Sequence, residues 1–168
     1  MTKNLDIEGL RTIVEDYDLF FIDLWGVVHN GIKLHKNAIN TLVEIERSNK
    51  DYILLTNAPR PNNTVKVFLD KMGMSKDIQK RVYTSGEAAL NYLKKNHLDD
   101  VFYHIGPPRD FDLFMNFKKN KTDIIKDCSY FLCTGLFENY EDDLNYYKEL
   151  LNNYKTKKMI CTNPDLIV

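Results

Sequence analysis

The chain has 168 residues, 43% of them hydrophobic and 28% charged, with a formal net charge of −1. It can therefore bury a real apolar core, and it has the composition of an ordinary globular domain. No stretch approaches the ~20 consecutive apolar residues of a membrane span, and interspersed lysines and acids set up no field that would hold a nucleic-acid backbone.

Leu19-Phe20-Phe21-Ile22 is a short, bulky apolar run, which predicts a strand buried on both faces and ending at Asp23. From Lys36 to Ser48, Ala38, Ile39, Leu42, Val43 and Ile45 recur at helical spacing and predict an amphipathic helix. Tyr52-Ile53-Leu54-Leu55-Thr56 reads as a second buried strand, stopped by Pro59 and Pro61. A helix with Val65, Phe68, Leu69 and Met72 on one face follows and closes at Gly73. Arg81-Val82-Tyr83-Thr84 predicts a third strand, and Thr84 with Glu87 has the spacing of a capping box ahead of Ala89, Leu90 and Leu93. This alternation implies right-handed βαβ units and a parallel sheet with helices on its faces.

From about Leu98 the pattern continues. Strands are expected over Val101–Ile105, before Gly106-Pro107-Pro108, and over Tyr130–Thr134, before Gly135. A helix between Tyr140 and Tyr154 has Glu141, Asp142 and Asp143 at its positive end, and Lys158-Met159-Ile160-Cys161 begins a last strand. The expected organisation is residues 1–97 as one segment and 98–168 as another. Cys128, Cys133 and Cys161 lack C-x-x-C spacing and are expected to be free, buried thiols in a reducing compartment. His29, His35, His97 and His104 show no zinc-ligand spacing. The N-terminus, Met1-Thr2-Lys3-Asn4-Leu5-Asp6, has no apolar run of a secretory signal, so the expected location is cytoplasmic.

In an open parallel α/β sheet ligands gather at the carboxyl ends of the strands. Asp23 stands at such an end, where a carboxylate can attack phosphorus if a metal ion screens the phosphate, and where it can equally cap a turn. Thr56 and Asn57 end the second strand and offer a hydroxyl, an amide and backbone donors suited to phosphate oxygens. A polar turn before Pro59 is the alternative.

The run Phe20-Phe21-Ile22-Asp23-Leu24-Trp25-Gly26-Val27-Val28-His29-Asn30-Gly31, followed by Leu54-Leu55-Thr56-Asn57-Ala58-Pro59-Arg60, resembles the haloacid dehalogenase superfamily. It is similar in particular to the class IIA phosphatases, which include nucleotide and pyridoxal phosphate phosphatases. The later Thr84-Ser85-Gly86-Glu87, Ile105-Gly106 and Thr162-Asn163-Pro164-Asp165 fall in the order of that class, so the likeness runs over roughly residues 17–168.

The resemblance implies an incomplete Rossmann-like core and a partial α/β cap of the C2 type. It makes Asp23 the nucleophile that becomes an aspartyl phosphate, and Asp23 with the Trp25 backbone carbonyl ligands of Mg2+. Thr56 and Asn57 would hold the phosphoryl group, and Asn163 and Asp165 would belong to the substrate loop of the cap. The implied substrate is a small phosphorylated metabolite, with neither nucleic acid nor membrane as partner.

Two departures qualify this. The usual second aspartate, the general acid and base of the class, is replaced by Trp25, whose indole cannot protonate a leaving alkoxide. An Asp-x-Trp-Gly branch of the class carries this pattern. The family's downstream lysine and acidic Gly-Asp motif do not occur in these residues. The expectation is therefore a truncated class IIA hydrolase, inactive as this chain alone and completed by a complementing C-terminal chain or a homodimer. The alternatives are a non-catalytic remnant or a small α/β binding module.

Overall fold

A computed structural model of the protein describes residues 8–140 and 143–164. The chain divides into two compact units, one grouping Met1–Thr56 with Lys66–Tyr83 and the other Asn57–Val65 with Thr84–Val168.

In the first unit, strands β1 (Leu19–Asp23), β2 (Asp51–Thr56) and β3 (Val82–Thr84) form a sheet in the order β1-β2-β3. Strands β1 and β2 are parallel, with Leu19 opposite Asp51 and Asp23 opposite Leu55. Helix α1 (Lys36–Arg47) makes the crossover and buries Leu42 and Ile45. It ends at Asn49, whose φ of 54° is the left-handed conformation that asparagine tolerates better than most residues. Helix α2 (Asn62–Lys71) is closed by Gly73 at φ 84°, with Gly73 N–H donating to the Asp70 carbonyl and Met74 N–H to the Leu69 carbonyl. A four-residue helix, α3 (Lys76–Gln79), is capped by the Ser75 hydroxyl, which accepts from Ile78 N–H. It is too short to leave a periodic signal in the sequence.

Strand β1 departs from expectation. It is not buried on both faces, for Phe21 is 66% and Leu19 40% exposed. Side chains alternate across a strand, so Tyr52 and Leu54 of β2 turn into the core, where they are fully buried, while Phe21 and Leu55 open to solvent on the other face.

The second unit contains helix α4 (Ser85–Asn96), strands β4 (Phe102–Ile105), β5 (Lys121–Thr122), β6 (Tyr130–Cys133) and β7 (Lys158–Cys161), and helix α5 (Leu144–Asn153). Its sheet has the order β5-β4-β6-β7, all parallel. One face packs Phe102, Tyr130 and Leu132 against Leu90 and Leu93 of α4 and Leu113, Phe114 and Phe117. Those three come from a run of 3-10 turns, Pro108–Asn120, that breaks helical geometry at Phe114 and Phe117. On the other face Phe131 meets Leu150 of α5 and a set of tyrosines. A continuous apolar run thus means burial on both faces at β6. Asp143 caps α5, accepting from Asn145 and Tyr146 N–H at 3.1 and 3.0 Å, whereas Glu141 and Asp142 lie outside the described residues.

The architecture is the expected one, an α/β fold of parallel sheets with helices on their faces. The cysteines are free, but only Cys128 is buried; Cys133 is half-buried and Cys161 exposed. Cys161 ends β7, which among the described residues has one strand neighbour in this sheet, and so stays open to solvent.

Candidate functional site

Strand β1 delivers Asp23 to its carboxyl end with the side chain exposed, and one carboxylate oxygen accepts from Leu24 N–H at 2.8 Å. The chain then coils tightly. Leu24 is buried and its carbonyl accepts from Val28 and His29 N–H, while Gly26, at φ 76°, donates to the His29 carbonyl at 2.8 Å. Only a residue that enters the left-handed region freely fits there. The turn presents Trp25 outward, 62% exposed, with its indole edge-to-face on His29 at 5.6 Å. At Gly31, φ 85°, an added Cβ would lie 2.7 Å from the indole, so a side chain there would displace Trp25.

His29 is a residue that motif reading passed over. It is buried between Trp25 and Phe68, and its Nδ1 accepts from Gly31 N–H at 3.0 Å, which leaves the proton of the neutral ring on Nε2. Burial depresses its basicity first and the neighbouring His35 second, while the carboxylate of Asp23 acts the other way. The signal available in the sequence was its place inside the Asp23 motif, not any metal spacing.

Asp23 and Thr56 come together. They end adjacent parallel strands, and because Asp23 pairs with Leu55, Thr56 lies one position beyond it. Asn57, the first residue of the second unit, donates through Nδ2 to Asn163 Oδ1 at 3.5 Å, a long hydrogen bond. The phosphate-binding and substrate-loop candidates Asn57 and Asn163 are thus neighbours. Asp165 lies outside the described residues.

The loop after Asn57 is fixed by the start of α4. The Ala58 carbonyl accepts from Gly86 N–H at 3.2 Å and Ser85 Oγ at 3.0 Å, and the Arg60 carbonyl accepts from Thr84 Oγ1 at 2.5 Å. The capping box is met by half. Thr84 Oγ1 accepts from Glu87 N–H at 2.9 Å, but the Glu87 carboxylate takes Asn62 N–H at 3.0 Å in place of its own cap residue. Asn62, which like Thr84 and Glu87 belongs to the second unit, accepts from Thr84 N–H at 2.9 Å, so Asn62 and the N-terminus of α4 cap each other. The Arg60 guanidinium reaches the Asp110 carboxylate at 3.5 Å and Asp112 at 3.8 Å. Burial is the chief cause that pushes the Asp110 carboxyl up, opposed by the Thr134 hydroxyl and by Arg60.

Among the described residues no three Asp, Glu, His or Cys side chains cluster to hold a metal. The exposed Asp23 carboxylate and the Trp25 backbone carbonyl are hard oxygen donors. Mg2+ keeps several waters and takes only one or two carboxylates, so this pair fits it as part of a ligand set.

The model of the haloacid dehalogenase-like hydrolases matches residues 20–117, a span that holds Asp23, Thr56 and Asn57. A solved haloacid dehalogenase-like hydrolase from Brucella suis aligns with a TM-score of 0.76 and 28% identity over 98% of this chain and 59% of its own. A 4-nitrophenylphosphatase from Thermotoga maritima shares the fold at a TM-score of 0.65 and 19% identity, over 91% of this chain and 57% of its own. A Mycobacterium tuberculosis glycerol phosphate phosphatase solved with magnesium does so at 0.63 and 19%, over 91% of this chain and 46% of its own. A search of curated proteins finds no match. The chain therefore spans less than two thirds of the length of these structures. With its family signature lying across the two strand ends that bring Asp23 and Thr56 together, the chain belongs to the haloacid dehalogenase-like hydrolases.

Proposed function

We propose that this chain carries the nucleophile half of a phosphate monoester hydrolase. Asp23 attacks the phosphorus of a small phosphorylated metabolite, the alcohol leaves, and water then cleaves the aspartyl phosphate to return the carboxylate and inorganic phosphate. Thr56 and Asn57 hold the phosphoryl oxygens, and Asn163 and Asp165 meet the rest of the substrate. The Asp23 carboxylate and Trp25 carbonyl would bind Mg2+, which when present screens the phosphate charge. Residues 1–97 act as the catalytic segment and 98–168 as the cap, in the reducing cytoplasm. The observation that carries the reading is the exposed carboxylate of Asp23 beside Thr56 at the carboxyl end of adjacent parallel strands.

Turnover in this reading needs a companion, a complementing C-terminal chain or a second copy, because Asp23 has no cluster of further acids among the described residues. The exposed apolar face of Leu19, Phe21 and Leu55 is a surface such a companion could cover.

One observation favours a second reading. Asp23 already accepts from Leu24 N–H, so it could serve only as a cap in a small α/β binding module or a non-catalytic remnant.

Thermal unfolding with magnesium and beryllofluoride, a phosphoryl mimic, separates the two. A ligand at about 100 times its Kd stabilises by about 2.7 kcal/mol, which raises Tm by roughly 5–10 °C for a chain of this size. The rise should vanish in Asp23→Asn, and no rise in the parent protein refutes the phosphoryl site. Magnesium-dependent hydrolysis of p-nitrophenyl phosphate, with and without a companion segment, then tests turnover.

A further inference from the structure

Cys133 and Cys161 are Cα partners across the parallel strands β6 and β7. Paired positions on neighbouring strands point to the same face, and strand spacing of about 4.8 Å falls inside the ~4.4–6.8 Å range of Cα separations that a disulfide spans. Their frame is fixed, since the Cys133 carbonyl accepts from both Thr162 N–H at 2.9 Å and Thr162 Oγ1 at 3.2 Å. Cys161 is exposed and Cys133 half-buried. The Cys133 thiol is pushed up to about 12, by burial first and by the neighbouring Cys161 second. Each sulfur reaches a carbonyl just beyond its own strand, Cys133 that of Gly135 at 3.6 Å and Cys161 that of Asn163 at 3.4 Å. Cys128 is buried and takes no part in this strand pairing.

We propose that Cys133 and Cys161 are a modification site, a thiol pair that a hydroperoxide converts to an intramolecular disulfide. Cys161, the accessible thiol, attacks the outer peroxide oxygen; the O–O bond breaks, an alcohol or water departs, and Cys161 becomes a sulfenic acid. The Cys133 sulfur then attacks the Cys161 sulfur. The S–S bond forms, the S–O bond breaks, and hydroxide leaves as water with the Cys133 proton. Two thiols are oxidised and one hydroperoxide is reduced. An exposed bridge of this kind is readily opened again by a thiol reductant, and while closed it ties the two strand ends just ahead of Asn163. The chemistry is independent of the phosphatase reading, because its test follows sulfur alone.

The reduced protein is treated with hydrogen peroxide, denatured, alkylated and mapped by mass spectrometry. The expected result is a peptide pair joined through Cys133 and Cys161, lighter by two hydrogens, with one thiol of the three, Cys128, alkylated. In Cys133→Ser, checked for native circular dichroism, the sulfenic acid persists and dimedone labels Cys161 more heavily than in the parent protein. In Cys161→Ser, Cys133 stays reduced. Three alkylated thiols after treatment, Cys161 overoxidised beside a free Cys133, or bridges only between molecules would each overturn the proposal.

Discussion

Gly86→Ala sets helix propensity against packing, and the two predict opposite signs. Gly86 is the second residue of α4, where alanine should stabilise a helix by about 0.8–1 kcal/mol. The structure leaves no room for the methyl. A Cβ on Gly86 would lie 2.3 Å from Arg60 N, 2.4 Å from its carbonyl oxygen and 2.5 Å from its carbonyl carbon. These are backbone atoms, so no rotamer change relieves the overlap, and helix and loop must part by about 1 Å to reach ordinary contact distance. That shift stretches three hydrogen bonds, from Gly86 N–H and Ser85 Oγ to the Ala58 carbonyl and from Thr84 Oγ1 to the Arg60 carbonyl. At about 0.5–1.5 kcal/mol net for each bond and about 1–3 kcal/mol for overpacking, less the propensity gain, the substitution should cost roughly 1.5–6.5 kcal/mol. For this length that lowers Tm by roughly 3–25 °C. The control is Gly73→Ala. An added Cβ there meets nothing within 4 Å, so its cost is the left-handed backbone alone, about 1–2 kcal/mol. Urea denaturation followed by circular dichroism measures both. A Gly86→Ala variant as stable as the parent would falsify the claim that α4 rests directly on the loop after Asn57.

Three further outcomes are expected. His104 is buried, its Nε2 lies 2.8 Å from the Thr134 hydroxyl, and burial first, then Lys121, depresses it from 6.5 to about 4. Between those values the unfolded chain binds the extra proton, so the stability from neutral His104, on the order of 3 kcal/mol, is complete above pH 6.5 and is lost as pH falls towards 4. Urea midpoints at several pH values should show this slope, and His104→Gln should flatten it; an unchanged slope rejects the assignment. Phe21→Gln, at an exposed site, should move stability by no more than about 0.5 kcal/mol yet block assembly with a companion in size-exclusion chromatography. Trp25→Asp should restore a proton donor beside Asp23. In the complemented enzyme it should raise turnover of alkyl phosphates by up to about 10²–10⁴, with little gain for p-nitrophenyl phosphate, whose leaving group needs no proton; equal gains for both would contradict the idea that Trp25 withholds general acid catalysis.

What could be read from the sequence follows from which forces are local. Six of the seven strands and the longer α-helices announce themselves through periodicity and through breakers such as Gly73 and Pro59, each within a few residues of its expected bounds, whereas the two-residue β5 and the 3-10 turns of Pro108–Asn120 are too short or too irregular to leave a periodic signal. Burial is another matter, because it depends on what covers a strand. Leu19–Asp23 and Tyr130–Cys133 are both apolar runs, but β6 is packed on two faces and β1 is open on one. The same distinction explains the cysteines, where an apolar run implied burial and the edge position of β7 decided otherwise.

At the candidate site, the strand-end placement of Asp23 and Thr56 was legible because each is a polar stop after an apolar strand, and parallel pairing alone then makes them neighbours. The mutual caps of Asn62, Thr84 and Glu87, the pressure of Gly86 on Arg60 and the pairing of Cys133 with Cys161 join residues at least 22 positions apart, apart from the local Thr84–Glu87 bond. No window of sequence contains such information, since it arises only when register and turn geometry are fixed. His29 lies between these cases. It is close to Asp23 in the chain, yet its role beneath Trp25 depends on a coil that needs left-handed Gly26 and Gly31, and the indole fits only because Gly31 has no side chain. Trp25 is thus tied to its surroundings: an aspartate at position 25 would leave the space over Gly31 and the face of His29 empty, so Trp25 and its two neighbours form one structural unit beside Asp23.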